Sequence, residues 1–244
     1  MRNSTIIMRR ELASYFATPL AYVFILIFLV LVNFFAFFFG ALYERGQADL
    51  QSFFTYHPWI DVFLISAVSM RLWAEERHSG SIELLMTQPV TLREAVWGKF
   101  LAAWAFVAIS LVLTFPIWIT VNYLGKPDNG VIVAAYIGSL MMAGGFLAIG
   151  SCMSALTRSQ VIAFIGTAVV SLVFVLLGML PGMVNNMPDW VQSAAGAVAS
   201  LSIYTHFTSI SKGVVDIRDV LYFAMLIGLF LLATSIALDV RKAE

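Results

Sequence analysis

The sequence predicts an all-α polytopic membrane protein with about six transmembrane helices. Of its 244 residues, 61% are hydrophobic and 11% are charged, whereas an average soluble domain carries about 25% charged residues. Six stretches approach the roughly 20 apolar residues that a helix needs to cross the hydrocarbon core of a bilayer. The Lys and Arg residues also fall mainly on alternate connections between these stretches.

A single transmembrane domain, residues 1–244, contains all six stretches. Because lipid cannot satisfy free backbone N–H and C=O groups, each stretch is expected to be helical. The predicted spans are residues 20–43, 58–73, 92–123, 131–156, 160–180 and 220–238. If the N-terminus is cytoplasmic, ten Lys and Arg residues lie inside and four outside. The positive-inside rule therefore predicts that both termini are cytoplasmic.

Residues 1–19 are expected to form a helix along the cytoplasmic membrane interface. The apolar run that follows is expected to be a retained helix, because no cleavage site of a signal peptide follows it. Apolar side chains fall on one face of this helix: Met8, Leu12, Tyr15 and Phe16. Ile6 and Ile7 fall off this stripe, so the amphipathic pattern is imperfect. Pro19 is expected to mark the bend into the first span.

The fourth span carries small residues at helical spacing: Gly144, Ala148, Ser151 and Ala155. Small residues let helices approach closely in lipid, and here they favour packing within the chain over a transport pathway or a dimer face. Residues 181–219, before the last span, are too apolar for a free loop and too polar for a span. They begin with turn formers and include Trp190, a residue typical of the membrane interface. Short helices at the outer leaflet are expected there.

The loop between the second and third spans holds the most specific pattern in the chain. Residues 79–81 are typical of a helix start, and Glu83 falls in the first turn, where the helix dipole favours an acid. Pro89 ends this short helix, while Thr91 and Glu94 form a capping box that starts the next helix. The short helix, about residues 81–88, is half apolar. It therefore either folds onto the membrane or inserts into a groove of a partner, and the residues alone leave both alternatives open.

The ordered run through this loop resembles the pattern of ABC-2 type transporter permeases. The matching residues are Glu75, Glu76, Arg77, Gly80, Ile82, Glu83, Leu85, Pro89, Glu94, Gly98 and Lys99. The approach to the last span also resembles that family, through His206, Gly213, Val214, Asp216, Arg218, Asp219 and Val220. Within the family, the chain is most similar to the permeases of gliding motility and of nitrous-oxide-reductase maturation.

The resemblance implies that residues 79–90 form a coupling helix, which receives motion from a separate ATP-binding subunit. The implied contacts are Glu76, Gly80, Ile82, Glu83, Leu84, Leu85, Met86, Pro89 and Arg158. It also implies a bacterial inner-membrane complex of two permease copies, expected to be a homodimer, with two ATPase subunits that bind ATP and Mg²⁺. A periplasmic auxiliary protein is a further expected partner.

The chain itself is not expected to be an enzyme or to hold a cofactor. Its Gly98–Lys99 pair is preceded by Arg93 at the first glycine position of a P-loop and followed by Phe100 instead of Ser or Thr, so no P-loop is formed. The three His residues are scattered, and no metal site is predicted. His57 and His206 are expected to be interfacial polar residues. A net charge of zero gives no indication of nucleic-acid binding.

Two polar residues in the spans, Asn33 and Asp61, are candidates for a transport pathway, because intramembrane polar groups are costly. The alternatives are an interhelical hydrogen bond for Asn33 and a headgroup-level position for Asp61. The leading function is a permease subunit of an ATP-driven exporter of lipid-linked, polymeric or apolar cargo. The alternative is transmission of force to a periplasmic partner without cargo. A membrane enzyme or lone carrier is disfavoured, because the chain shows neither a catalytic dyad nor an intramembrane charge chain.

Overall fold

The computed structural model describes residues 2–44, 46–80, 91–184 and 187–240, with side chains from Ser4 onward. Every regular element in these ranges is helical, which confirms the all-α prediction. The helices are α1 (Arg2–Ala17), α2 (Pro19–Phe34), α3 (Gln51–Thr55), α4 (His57–Ser69), α5 (Arg71–Ser79), α6 (Leu92–Val112), α7 (Phe115–Leu124), α8 (Asn129–Leu156), α9 (Gln160–Leu176), α10 (Leu180–Met183), α11 (Asp189–Ala199), α12 (Ile203–Ser211) and α13 (Ile217–Val240).

Within the described residues, five helical segments are long and apolar enough to cross a membrane. They are Pro19–Phe39, Leu92–Leu124, Asn129–Leu156, Gln160–Met183 and Ile217–Val240. The predicted second span is shorter than these five segments. It consists of α4 and α5, which are separated at Met70, and the 13 residues of α4 rise only about 20 Å at 1.5 Å per residue. The fold is thus polytopic, and the count of six spans remains a prediction.

Helix α8 lies at the centre of the bundle. It packs against α4, α5, α6, α9, α12 and α13. Its small residues are buried, and Gly144 lies against Trp104 of α6 and Ile227 of α13. Gly150 lies against Ser69 of α4 so closely that an added Cβ would fall 2.4 Å from the Ser69 Cβ. The prediction that the small-residue stripe serves packing within the chain is confirmed.

Local sequence explains where several helices begin and end. Thr18 is extended and Pro19 occupies the first turn of α2, so the predicted bend at Pro19 is confirmed. Asp128 caps α8 by accepting hydrogen bonds from the backbone N–H groups of Gly130 and Val131. The residues before α13 form the short helices α10, α11 and α12, which confirms the helical prediction for that segment.

The bundle has two ends, which we name after the helices that lie there. The α1 end contains α1, α5, the start of α6 and the end of α8, which contact one another. The α12 end contains α12, the start of α13 and the loops that join α2 to α3 and α7 to α8.

Candidate coupling junction at the α1 end

The implied contact residues divide into two groups. Glu76, Gly80 and Arg158 belong to the described part of the chain: Glu76 lies in α5, Gly80 follows the end of α5, and Arg158 follows the end of α8. The other implied contacts fall outside the described residues: Ile82, Glu83, Leu84, Leu85, Met86 and Pro89. The coupling helix itself therefore stays a prediction.

The predicted start of that helix needs one correction. Ser79 is the last residue of α5, and Gly80 has φ 73°, in the left-handed region that glycine adopts readily after a helix end. Residues 79 and 80 thus end a helix instead of starting one. The sequence Ser-Gly-Ser is compatible with either role, because glycine and serine occur at both kinds of helix boundary.

Lys99 of α6 is the centre of a buried charge cluster. Its side chain is 6% exposed, and its Nζ lies 2.7 Å from Glu76 Oε1 of α5 and 3.5 Å from Glu11 Oε2 of α1. The ammonium group also lies 5.2 Å from the centre of the Trp73 ring. One cation therefore connects α1, α5 and α6.

A second network joins α5 to α8. Ser154 Oγ accepts hydrogen bonds from the backbone N–H groups of Trp73 and Ala74, each at 3.0 Å, and donates one to Met70 O at 2.9 Å. The indole Nε1 of Trp73 donates to Ser151 Oγ at 3.1 Å. Trp73 is fully buried, so these bonds are shielded from competing water.

Arg77 adds a third connection. Its guanidinium donates a hydrogen bond to Ala155 O, in the last turn of α8. A cation at this position satisfies a carbonyl that the helix end leaves unpaired and interacts favourably with the helix dipole. Arg158 lies two residues after the end of α8, so this second implied contact is close in the chain to the carbonyl that Arg77 bonds.

The start of α6 is fixed by the predicted capping box, which the structure confirms. Thr91 Oγ1 accepts from the backbone N–H of Glu94 at 3.3 Å, and the Glu94 carboxylate accepts from the backbone N–H of Thr91 at 3.1 Å. Residues 81–90 are therefore bounded by α5, which is bonded to α8, and by α6, which is bonded to α1. Both helices that flank residues 81–90 in the chain are thus bonded to other helices of the bundle.

Helix α1 packs on α6 more closely than the sequence pattern indicated. Ile7, predicted to fall off the apolar stripe, is buried against Gly98, where an added Cβ would lie 2.8 Å from Ile7 Cγ2. Tyr15 stacks on Phe106 with ring centres 5.3 Å apart. Burial, with Glu11 nearby, raises the pKa of the Tyr15 hydroxyl and keeps it neutral. The contact face thus includes Ile7 and Glu11, which the sequence interpretation missed.

The two pathway candidates lie apart from this junction. Asn33 Nδ2 donates to Leu29 O at 2.7 Å, so its amide is bonded within α2 instead of across helices. Asp61 is 4% exposed and lies in the bundle among α2, α4 and α6, beside Phe24, Phe106 and Ser110. It is therefore buried within the chain.

The α12 end holds a different polar network. His206 Nδ1 lies 2.6 Å from Asp219 Oδ1, and Nε2 donates to Ser200 O at 2.9 Å. The Tyr222 ring stacks on the imidazole at 4.0 Å. His57 is fully buried, with its Nδ1 3.2 Å from Ser139 Oγ. Both His residues, which were predicted to be interfacial polar residues, therefore make specific contacts within the fold.

Comparison with known proteins assigns the chain to a family. The ABC-2 family transporter protein profile matches residues 60–238. The chain belongs to this family. It is also 28% identical over 155 residues to the probable multidrug ABC transporter permease YbhR of Escherichia coli K12, and equally to its counterpart in Escherichia coli O157:H7. These matches cover 63% of the chain and 39% of each relative. The matched region spans about two fifths of the relatives' length.

The ABC-2 profile includes nearly all of the α1-end junction. Residues 60–238 contain Trp73, Glu76, Lys99 and Ser154, and they leave out Glu11 and the rest of α1. The family assignment confirms the resemblance that the loop motif indicated.

Proposed function

We propose that this chain is the membrane permease subunit of an ATP-driven ABC-2 exporter, and that residues 81–90 receive the motion of a separate ATP-binding subunit. The observation that supports this most directly is the bonding on both sides of that segment. Glu76 and Trp73 join its preceding helix to α1, α6 and α8, while the Thr91–Glu94 capping box fixes the helix that follows. Because both flanking helices are bonded to the bundle, a push that residues 81–90 pass to them would reach several spans at once.

The proposed complex has two permease copies and two ATPase subunits, which bind ATP and Mg²⁺. The α1 end faces the cytoplasm, in keeping with the ten Lys and Arg residues predicted inside and the four outside. The cargo is apolar or lipid-linked. The low charge of the spans supports this, as does the multidrug transport named for the Escherichia coli relatives.

A test of the coupling segment compares two double variants in the complex purified with its ATPase. Glu83→Ala/Leu85→Ala alters the proposed contact helix, whereas Glu44→Ala/Lys126→Ala alters exposed residues at the α12 end. We expect the first pair to lower ATPase co-purification and transport-coupled turnover at least tenfold, and the second pair to leave both unchanged. Equal co-purification and turnover in the two double variants would rule out the assignment.

Force transmission to a periplasmic partner is a second candidate, and it has its own supporting observation. The helices α11 and α12 are bonded to α13 through His206, Asp219 and Tyr222, whose hydroxyl donates to Leu201 O at 2.6 Å. Motion of α13 would thus reach the exposed segment around Trp190, which is 75% exposed. Replacing residues 187–199 should abolish capture of a periplasmic partner while ATPase stimulation persists. Persisting capture would exclude this candidate.

A further inference from the structure

A cavity of about 410 Å³ opens at the α1 end between α1, α2, α4, α5 and α6. Its volume falls in the range of about 300–1,000 Å³ that is typical of small-molecule sites. One part of the wall is charged and contains Glu11, Arg71, Glu75, Glu76 and Lys99. The other part is apolar and contains Leu20, Ala21, Phe24, Ala67 and Val68.

The two parts follow the direction of the spans. Along α4 and α5, the apolar residues Ala67 and Val68 precede Arg71 and Glu75, and α2 leads from Leu20 to Phe24 away from α1. The charged wall therefore lies at the level of α1 and the apolar wall lies deeper in the bundle. This is the polarity profile of one bilayer leaflet, from headgroup to acyl chain.

Two buried polar atoms of the charged wall have no hydrogen-bond partner among the described residues. They are Arg71 Nε, a donor, and Glu76 Oε2, an acceptor. Among the described residues, the ionic neighbour of Arg71 is Glu75, with 4.0 Å between Nε and Oε2, which is too long for a hydrogen bond. An unpaired buried donor or acceptor typically costs about 1–3 kcal/mol, so both atoms favour a ligand that carries an acceptor and a donor.

We propose that this cavity binds a phospholipid with a primary-amine headgroup from the leaflet at the α1 end. The phosphate accepts from Arg71, the ammonium donates to Glu76, and an acyl chain lies along Leu20 and Phe24. The charged wall holds three acids and two bases, so it suits a headgroup that carries both signs better than an anionic one. The lipid fills the space between α1, α2 and α4. Its binding does not depend on the identity of the ATPase.

The test uses the full-length chain in detergent micelles, titrated with three lipids of matched acyl chains and read by native mass spectrometry and thermal unfolding. Phosphatidylethanolamine carries both groups. Phosphatidylcholine carries the phosphate but no N–H donor, and phosphatidylglycerol is anionic. We expect phosphatidylethanolamine to bind at least fivefold more tightly than either of the others and to raise the unfolding temperature, because a ligand specific to the folded state stabilises it.

Two variants make the result specific to this cavity. Arg71→Met should reduce phosphatidylethanolamine binding at least fivefold, whereas Arg93→Met, at an exposed position in the first turn of α6, should leave it unchanged. Glu76→Gln should remove the preference for phosphatidylethanolamine over phosphatidylcholine, and it serves as the test if Arg71→Met does not fold. Equal binding of the three lipids, or tighter binding of phosphatidylglycerol, would overturn the proposal. So would undiminished phosphatidylethanolamine binding by Arg71→Met, or by Glu76→Gln if Arg71→Met does not fold.

Discussion

Lys99→Met tests whether the buried ammonium holds the α1 end together. Methionine keeps most of the length and volume of the side chain, so the variant removes the charge with little change in packing. The matched control is Arg10→Met. Arg10 Nη2 also lies near Glu11, at 3.2 Å, but its side chain is 56% exposed, against 6% for Lys99.

The magnitude follows from the burial of the partners. Removing one member of a fully buried ion pair costs about 3–5 kcal/mol, because it leaves an uncompensated charge. Glu11 and Glu76 keep side-chain exposures of 20% and 23%, so water compensates part of that loss, and we expect about 2–3 kcal/mol for Lys99→Met. For the exposed Arg10 pair, the expected loss is below about 1 kcal/mol.

The assay is thermal unfolding of the purified chain in one detergent, followed by the fluorescence of its tryptophans. At about 2–4 °C per kcal/mol for a chain of this size, Lys99→Met should lower the midpoint by roughly 4–12 °C, and Arg10→Met by less than about 4 °C. Adding Glu76→Gln to Lys99→Met should restore part of the loss, because the unpaired carboxylate is removed. Equal midpoints for Lys99→Met and Arg10→Met would refute the reasoning.

Three further predictions concern close packing and buried hydrogen bonds, each measured by the same unfolding assay. Gly150→Ala should lower stability by about 1–3 kcal/mol, because its Cβ would meet Ser69, whereas Gly166→Ala should not, since its nearest contact is 3.5 Å away. Ser154→Ala should cost at least about 2 kcal/mol, because it leaves two buried N–H groups unpaired; a loss below that of an average surface variant would contradict the network. Asp219→Asn should cost about 1–3 kcal/mol and increase proteolysis of the segment before α13, and unchanged proteolysis would show that the His206 contact does not fix that segment.

Local signals account for the parts of the fold that the sequence predicted well. The Thr91–Glu94 capping box and the bend at Pro19 depend on residues within one helical turn, so their chemistry is visible in the linear sequence. The buried small residues of α8 were predictable for a similar reason, because their helical spacing and size imply close packing. Hydropathy identified the long spans directly. The apolar part of α4 and α5 is shorter, so hydropathy alone does not decide whether this pair crosses the membrane.

The contacts at the α1 end were harder to predict from the sequence, because they join residues that are far apart in the chain. Trp73 and Ser154 are 81 residues apart, and nothing near either residue indicates the other. The sequence did contain a weak indication that Glu11 and Lys99 form a pair. An acid between the apolar residues of α1 and a lysine near the start of a long apolar helix are each costly alone, and mutual pairing removes that cost. The packing of Ile7 depends on Gly98 in the same long-range way.

The break between α4 and α5 at Met70 has a mechanical consequence. Where a helix is interrupted near the membrane, backbone groups lose their helical partners, and lipid cannot replace them. Here the hydroxyl of Ser154 bonds the carbonyl of Met70, at the break, and the two backbone N–H groups of Trp73 and Ala74 after it. Bending at Met70 would separate those three groups from the oxygen that they share. Ser154 therefore holds the junction of α4 and α5 against the end of α8, and we expect α5 and the end of α8 to shift together when either is displaced.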